Sequence, residues 1–375
     1  MLSKDHPSAE EVCGNSSRFA NALGILERAI ASRAFPGCAF GVLAGDEVVL
    51  QGALGRFTYE EDAPAVAAET VYDVASLTKV VATTAAAMLL VERKQLDLDT
   101  PLCELLPEFV AGRAADDLAR IVTLRNLLAH NSGLPGYVEL FRAASTPAAL
   151  LRACLELSIQ AAPGTRAEYS DPGFILLGEA LEVLLGVDLD SWTRREIYQP
   201  LGMAATGFCP SPAMRAAIPP TEEDSTFRHC RIQGEVQDEN AWVLNGVAGH
   251  AGVFSNAPDL LRFAGAIFRS AKPTKSNENP PPFDPAVVQR FAYRQPPEGS
   301  SCALGWDTPS QPSSSGKYFS QHSIGHLGYS GCSLWIDLDA EVAVDLLTNR
   351  TWPDRQSQLI REVRPRFHDA VREAL

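Results

Sequence analysis

The distribution of strand-like and helical segments along the chain is the feature that most restricts its fold. Two apolar runs with strand character, residues 38–43 and 48–53, lie near the start and are separated by the turn residues Gly45 and Asp46. Further strand-like runs lie in the last fifth of the chain, whereas the long middle region has mostly helical periodicity. The pattern predicts an α/β (α+β) fold, in which both ends of the chain build one antiparallel sheet around an inserted helical domain.

The two terminal segments are predicted to be amphipathic helices that flank this sheet. Leu23, Leu26 and Ile30 follow helical spacing within residues 17–33, and residues 356–374 have a similar periodicity. The other predicted helices are 79–93, 123–129, 147–157, 174–185, 191–197 and 258–268, and the later predicted strands are 303–306, 326–329, 333–338 and 342–348.

The predicted domain boundaries follow from the same change between strand-like and helical segments. Residues 1–78 and 295–375 are predicted to form the α/β domain, and residues 79–294 the mostly helical one. The polar, proline-rich stretch 272–285 is predicted to be a long loop or linker near the second boundary.

Charge and hydropathy restrict the partners. The chain has 32 Lys and Arg against 46 Asp and Glu, which gives a formal net charge of −14. Because such a chain repels phosphate backbones and has no basic stripe, we expect no nucleic-acid partner.

The apolar run 80–91 is too short to span a bilayer, so we also expect no membrane span. The polar N-terminus indicates a cytoplasmic location for the sequence as given, or a periplasmic one if a leader was removed. The oligomeric state stays open.

The strongest local motif is Ser76-Leu77-Thr78-Lys79 at the start of an apolar helix. A serine and a lysine three residues apart lie on one helix face, with Cβ atoms about 5–6 Å apart. A desolvated lysine can serve as the base that a serine nucleophile needs. The alternative is that Ser76 caps the helix and Lys79 is a solvated first-turn residue. A second Ser-x-x-Lys, from Ser314 to Lys317, lies in a serine-rich loop and is interpreted as accidental.

Two further motifs follow in order. Tyr169-Ser170-Asp171 precedes a predicted helix, and residues 325–331 read GHLGYSG at the start of the strand-rich end. Together with Ser76 and Lys79, these motifs resemble the family of serine hydrolases that contains class C β-lactamases, D-alanyl-D-alanine carboxypeptidases and family VIII carboxylesterases. The resemblance covers roughly residues 20–370 and implies a β-lactamase/transpeptidase-like fold. Supporting stretches are 127–135, 246–259 and 346–350.

The resemblance implies a role for each matching residue. Ser76 would be the acylated nucleophile, Lys79 would accept its proton, and Tyr169 would relay or share that proton. The lysine ammonium would favour the phenolate of Tyr169. Backbone N–H groups of Ser76 and Tyr329 would form the oxyanion hole. No cofactor is implied.

The third motif supplies substrate contacts in the same resemblance. His326 and Gly328 would occupy the binding positions of this motif, and the glycine would let the substrate approach the strand edge. Asp171 would be the substrate-contacting end of the second motif.

Two departures from the family pattern bear on specificity. Asp171 stands where many relatives have Asn, so an amide donor to the substrate is missing. His326 stands where many have Lys, and a neutral histidine pairs poorly with a substrate carboxylate. Arg350 is the candidate for a replacement cation. His130 and His250 are interpreted as structural, and the histidines have no metal-ligand spacing, so we expect no metal site.

We therefore expect a serine hydrolase that works through an acyl-enzyme on a small-molecule ester, amide or β-lactam. A carboxylesterase or peptidase-type hydrolase is favoured because His326 offers little attraction to the carboxylate of a β-lactam. The alternatives are a class C-like β-lactamase and a non-catalytic, penicillin-binding-like binding or scaffold protein. The presence of Ser76, Lys79 and Tyr169 favours an enzyme over a scaffold.

Overall fold

The computed structural model describes residues 13–14, 17–271 and 282–375. Its strands form a six-stranded sheet, a three-stranded sheet and a two-stranded sheet. In chain order they are β1 (Cys13–Gly14), β2 (Gly37–Ala44), β3 (Glu47–Gly55), β4 (Tyr72–Asp73), β5 (Gly207–Phe208), β6 (Glu222–Asp224), β7 (Cys230–Ile232), β8 (Val253–Ser255), β9 (Ser323–Leu327), β10 (Ser333–Asp337) and β11 (Val342–Thr348).

The six-stranded sheet joins the two ends of the chain, as predicted. Its order is β1-β3-β2-β11-β10-β9, and every neighbouring pair is antiparallel. The central pair is β2 with β11, in register from Ala44 opposite Val342 to Cys38 opposite Thr348. All of β11 is buried, because helices cover both faces of the sheet.

Helices account for most of the remaining structure. Short 3₁₀ turns lie at Ala75–Leu77, Pro107–Val110, Leu118–Ile121, Leu140–Arg142 and Pro212–Ala217, and π-helical turns at Lys79–Thr84 and Arg194–Tyr198. The α-helices are α1 (Ala20–Ala31), α2 (Ala85–Glu92), α3 (Leu102–Leu105), α4 (Leu124–Leu128), α5 (Pro147–Leu155), α6 (Asp171–Leu185), α7 (Leu189–Thr193), α8 (Glu239–Val243), α9 (Ala257–Ser270), α10 (Pro285–Ala292) and α11 (Ile360–Ala374).

Two apolar cores lie on opposite faces of the sheet. The smaller core is built by α1 and α11 against β2 and β11, with Leu26, Phe40 and Phe367 at its centre. The larger core on the other face extends through α2, α6 and α9. The predicted division into 1–78 with 295–375 and 79–294 stays a prediction; α9, inside the last range, packs directly on β2 and β11.

Some predicted elements are wrong. Residues 303–306 form a tight turn rather than a strand: Ala303 donates its N–H to the carbonyl of Trp306, and Gly305 has a φ of +80°. A left-handed backbone at Gly305 is incompatible with an extended strand. The strand predicted at 326–329 is β9, which ends at Leu327. The last helix begins at Ile360, four residues later than predicted.

The predicted loop at 272–285 lies mostly outside the described residues. After the gap at 272–281, Asp284 accepts hydrogen bonds from the N–H groups of Ala286 and Val287 and caps α10. This helix was not predicted, because its start lies in the polar stretch interpreted as a loop.

One helical run within the described residues is long and apolar enough to cross a membrane. It extends over Ala75–Glu92, and 83% of it is buried inside the protein. It is the central helix of the larger core, and its first turn contains Ser76 and Lys79.

Candidate active site

Ser76 lies at the point where a strand turns into the central helix. Strand β4 ends at Asp73, and Ala75 then adopts a left-handed conformation with φ of +48°. The 3₁₀ turn and the π-helical turn that follow present Ser76 and Lys79 on the same side. The Oγ of Ser76 is 3.1 Å from the Nζ of Lys79.

Lys79 is completely buried and uses its three ammonium hydrogens on three acceptors. Its Nζ donates to Ser76 Oγ at 3.1 Å, to Asp171 Oδ1 at 2.7 Å and to the carbonyl of His250 at 3.1 Å. The alternative of a solvated first-turn lysine is therefore wrong. A buried ammonium of this kind is stabilised by a charged partner, and Asp171 is that partner.

Asp171 lines the pocket and also pairs with Lys79. It is the first residue of α6, whose N-terminus is capped by the hydroxyl of Ser170. Burial alone would lower the pKa of Lys79, but the charge of Asp171 and the interaction with Tyr169 outweigh it, so the pKa is raised. Lys79 is an ammonium at neutral pH. The role of Asp171 as the counter-ion of the lysine was not predicted from the sequence, and its predicted contact with substrate stays a prediction.

Tyr169 lies above the lysine, with Nζ of Lys79 4.7 Å from its ring centroid. Tyr169 is 43% exposed and lines the pocket, but neighbouring protein atoms partly desolvate its hydroxyl. This desolvation raises the pKa of Tyr169 to about 12, and the carboxylate of Asp171 adds to the rise, although Lys79 and the Ser76 hydroxyl oppose it. The predicted effect of the Lys79 ammonium is present but is outweighed by desolvation, so Tyr169 is a neutral phenol at pH 7.

Two histidine rings flank Tyr169. The His130 ring centroid is 4.6 Å from that of Tyr169, and the His326 centroid is 5.7 Å away on the pocket side. His130 Nδ1 accepts the N–H of Ser170 at 2.9 Å, which is a structural role as predicted. His326 Nδ1 donates to the Leu327 carbonyl at 2.8 Å. Burial and the charge of Lys79 lower the pKa of His326 to about 3, so His326 is neutral.

The loop after β9 presents Tyr329 to the pocket. Gly328 donates its N–H to the Cys332 carbonyl at 2.7 Å, and the buried Arg364 donates to the carbonyls of Gly328 and Cys332 at 2.8 and 2.9 Å. Within the described part of the chain, the N–H groups of Ser76 and Tyr329 donate to no other residue. Two free amides beside a serine hydroxyl are an arrangement that can bind an oxyanion.

Gly328 is needed for a reason other than the predicted one. A Cβ at this position would lie 2.4 Å from the carbonyl oxygen of Val74, two residues before Ser76. The missing side chain therefore lets the end of β9 contact the turn that leads to the serine, rather than only opening the strand edge to a substrate.

Arg350, the predicted replacement cation, lines the pocket, but its guanidinium already donates to backbone carbonyls. That side chain is buried, donates to the carbonyls of Tyr329 and Ser357 at 2.8 and 3.1 Å, and lies 4.3 Å from the Tyr329 ring centroid. Arg355 is paired with two glutamates, at 222 and 239. Arg361 on α11 lines the pocket, is exposed, and has no ion-pair partner in residues 17–271 and 282–375. No motif contains Arg361, and its direction depends on how α11 packs.

These groups line one pocket of about 1120 Å³. Ser76, Tyr169 and Asp171 lie in its wall together with His326, and Arg361 lines it from the side of α11. A search for metal sites in the parts of the chain that the structure describes finds no cluster of three or more His, Cys, Asp or Glu side chains. The chemistry available in the pocket is that of a serine hydroxyl, a lysine–aspartate pair and a phenol.

The sequence matches the Beta-lactamase family over residues 24–364. It is 29% identical over 366 residues to an N-acetylmuramyl-L-alanine amidase of Bacillus subtilis (strain 168), covering 87% of this chain and 79% of that protein. It is 28% identical over 356 residues to a putative D-alanyl-D-alanine carboxypeptidase of Salmonella agona (strain SL483), covering 84% and 79%. The fold resembles that of EstCE1, a hydrolase with promiscuous acyltransferase activity, with a TM-score of 0.75, 21% identity, and coverage of 95% and 99%. The chain therefore belongs to the Beta-lactamase family of hydrolases.

Proposed function

We propose that the protein cleaves ester or peptide-type amide bonds through an acyl-enzyme on Ser76. The observation that carries the proposal is the hydrogen bond of 3.1 Å between Ser76 Oγ and the buried Nζ of Lys79, beside the two unpartnered amides of Ser76 and Tyr329. These contacts support a nucleophile and an oxyanion site in the pocket wall, with the candidate base buried directly behind Ser76.

Acylation begins from the fraction of enzyme in which Lys79 has lost a proton. The neutral amine takes the proton of Ser76 as Oγ attacks the substrate carbonyl carbon, and the carbonyl oxygen becomes an oxyanion between the two amides. The neutral phenol of Tyr169 gives its proton to the leaving alcohol or amine and recovers one from the Lys79 ammonium. Water then repeats the sequence on the acyl-enzyme and releases the acid.

Covalent labelling tests this proposal. A fluorophosphonate and p-nitrophenyl butyrate should both react with the wild type, and intact mass should show one adduct, which peptide mapping assigns to Ser76. Ser76→Ala should abolish labelling and turnover, because Ser76 Oγ is the hydroxyl that accepts a hydrogen bond from Lys79 Nζ at 3.1 Å. Ser314→Ala, which also changes a pocket-lining serine, is the matched control and should keep both. An adduct on another serine, or no adduct with unimpaired folding, would reject the proposal and favour a binding role.

A peptide substrate ending in a carboxylate is a second candidate, favoured by the unpaired Arg361. The relative named as a putative D-alanyl-D-alanine carboxypeptidase acts, by that name, on such a peptide terminus. Arg361 supplies the cation that the neutral His326 lacks. A charge-assisted hydrogen bond to a carboxylate contributes about 1.5–3 kcal/mol, which corresponds to roughly 10- to 100-fold in kcat/KM.

The test compares anionic and neutral substrates in two arginine variants of the same helix. Arg361→Met should lower kcat/KM for an acyl-D-alanyl-D-alanine peptide and for benzylpenicillin by roughly 10- to 100-fold, and leave p-nitrophenyl butyrate nearly unchanged. Arg366→Met is the control, because Arg366 lines the groove between α1 and α11 instead of the pocket. An equal loss on the neutral ester would show that Arg361 does not recognise a carboxylate.

A further inference from the structure

Asp73 is a buried carboxyl group close to Ser76 that the proposed chemistry does not use. It is 2% exposed and ends strand β4. Its Oδ1 accepts the N–H of Ala75 at 2.8 Å, and its Oδ2 accepts the N–H of Gln237 at 2.7 Å. The two carboxylate oxygens therefore connect two segments that are far apart in the sequence.

The first connection holds the turn before the nucleophile. Ala75 has φ of +48°, in the left-handed region that residues with a Cβ seldom adopt. An aspartate that accepts the N–H two residues later closes an Asx turn, which supports this conformation. Because Ala75 precedes Ser76, its backbone angles set the directions of the Ser76 N–H and Oγ.

The second connection reaches the segment that anchors Lys79. Arg228 donates to the carbonyls of Val236, at 2.7 Å, and Gln237, and so fixes this segment from the other side. The next residue, Asp238, is 2.8 Å from Nε2 of His250. The carbonyl of His250 in turn accepts one of the three hydrogen bonds of Lys79.

We propose that ionised Asp73 is a positioning residue, which holds the Ser76 turn and the Lys79 anchor in their working arrangement. This inference rests on the proposed role of Ser76 as nucleophile. It assigns to Asp73 no contact with substrate. Loss of its charge should reorient the serine and its amide while the fold persists.

The surroundings of Asp73 make this arrangement sensitive to acid. Burial raises its pKa to about 6, the nearby Asp238 adds to the rise, and the two amide donors and Arg228 oppose it. The Ser330 hydroxyl and the Cys332 thiol approach only its backbone carbonyl. As the pH falls through about 6, the carboxyl takes up a proton and one oxygen ceases to be a good acceptor.

A rescue experiment tests the link between Asp73 and Ala75. Asp73→Asn should lower the rate of fluorophosphonate labelling of Ser76 about 10-fold or more, while KM for p-nitrophenyl butyrate changes little. Ala75→Gly alone should stay near wild type, since glycine adopts the left-handed conformation freely. The double variant should label at least about threefold faster than Asp73→Asn alone. The inference would be overturned if the effects of the two substitutions on the labelling rate were simply additive. It would also be overturned if Asp73→Asn changed only KM.

The pH profile of the wild type gives a second measurement that does not depend on whether Asp73→Asn folds. If Lys79 alone titrates, the logarithm of the labelling rate rises with pH with a slope of about one; below about pH 6, protonation of Asp73 should steepen it to about two. Ala75→Gly should reduce this steepening. A wild type that labels Ser76 with no steepening rejects the inference and leaves the proposed function intact. A wild type that fails to label at all rejects the proposed function.

Discussion

Lys79 is held as an ammonium by one residue, Asp171, at 2.7 Å. A lysine must be neutral to take the proton of Ser76, so the counter-ion that stabilises the buried charge also reduces the fraction of active base. Activity should therefore rise with pH across the neutral range toward the raised pKa of Lys79. In the proposed mechanism, the carboxylate therefore sets the working pH of the site.

Asp171→Asn tests this relation. The amide keeps the size of the side chain and removes its charge, so the pKa of Lys79 should fall and the acidic limb of the kcat/KM profile should move to lower pH by about one unit or more. Asp188→Asn, at an exposed cap of α7, is the control and should leave the limb in place. An unchanged limb would show that another group governs the proton transfer.

The sequence predicted some of the site residues and missed others. Ser76, Lys79 and Tyr169 were found because their order and spacing form motifs, and the structure brings them together around one pocket. Asp171 was named, but its pairing with Lys79 depends on the approach of α6 to the central helix. Arg361 was missed because exposed arginines are common on helices, and only tertiary packing shows which of them faces a cavity.

Strand β11 contains an unusual group for a central strand. Asp345 is completely buried, and neither carboxylate oxygen has a side-chain hydrogen-bond partner among the described residues. It lies opposite Gly41 of β2, where a Cβ would be 2.8 Å from Asp345 Oδ2 and 2.7 Å from Leu261 Cδ1. Burial raises the pKa of this carboxyl well above its usual value, so the folded protein binds its proton more tightly than the unfolded chain does.

Asp345→Asn should therefore change the pH dependence of stability. A raised pKa in the folded state means that the wild type loses stability as pH rises from the unfolded value near 4, by up to about 1.4 kcal/mol per pH unit. The asparagine variant has no such loss, so its Tm should exceed that of the wild type increasingly from pH 5 to pH 9. Chemical denaturation at several pH values checks this. Parallel curves for the two proteins would contradict it.

Elements with strict periodicity were predicted well. The hairpins β2–β3 and β10–β11 follow from strand-like apolar runs separated by turn residues, and the helices at both ends follow from helical spacing. The turn at 303–306 was predicted as a strand because all four residues are buried. Their sequence is therefore an apolar run, although the backbone is not extended. Helix α10 was not predicted because its start has the polar, proline-rich composition of a loop.

At the scale of the whole molecule, the antiparallel sheet with flanking helices is confirmed. It was predictable because strand-like segments at both ends of the chain leave few other ways to pair the strands. The pocket could not be predicted in the same way. It lies where the central helix, α6, the loop after β9 and α11 converge, and the angles between these elements depend on side-chain packing. The expectations about nucleic acid, membranes and cellular location stay predictions.

The origin of β9, β10, β11 and α11 in the last part of the chain has a consequence for biosynthesis. A ribosome delivers Ser76 and Lys79 before Tyr329, and before Arg364, the arginine that holds the Tyr329 loop. Until they emerge, β2 lacks its central neighbour and the serine lacks one of its two amide donors. In the proposed mechanism, a nascent chain would therefore carry its nucleophile before the oxyanion site is complete.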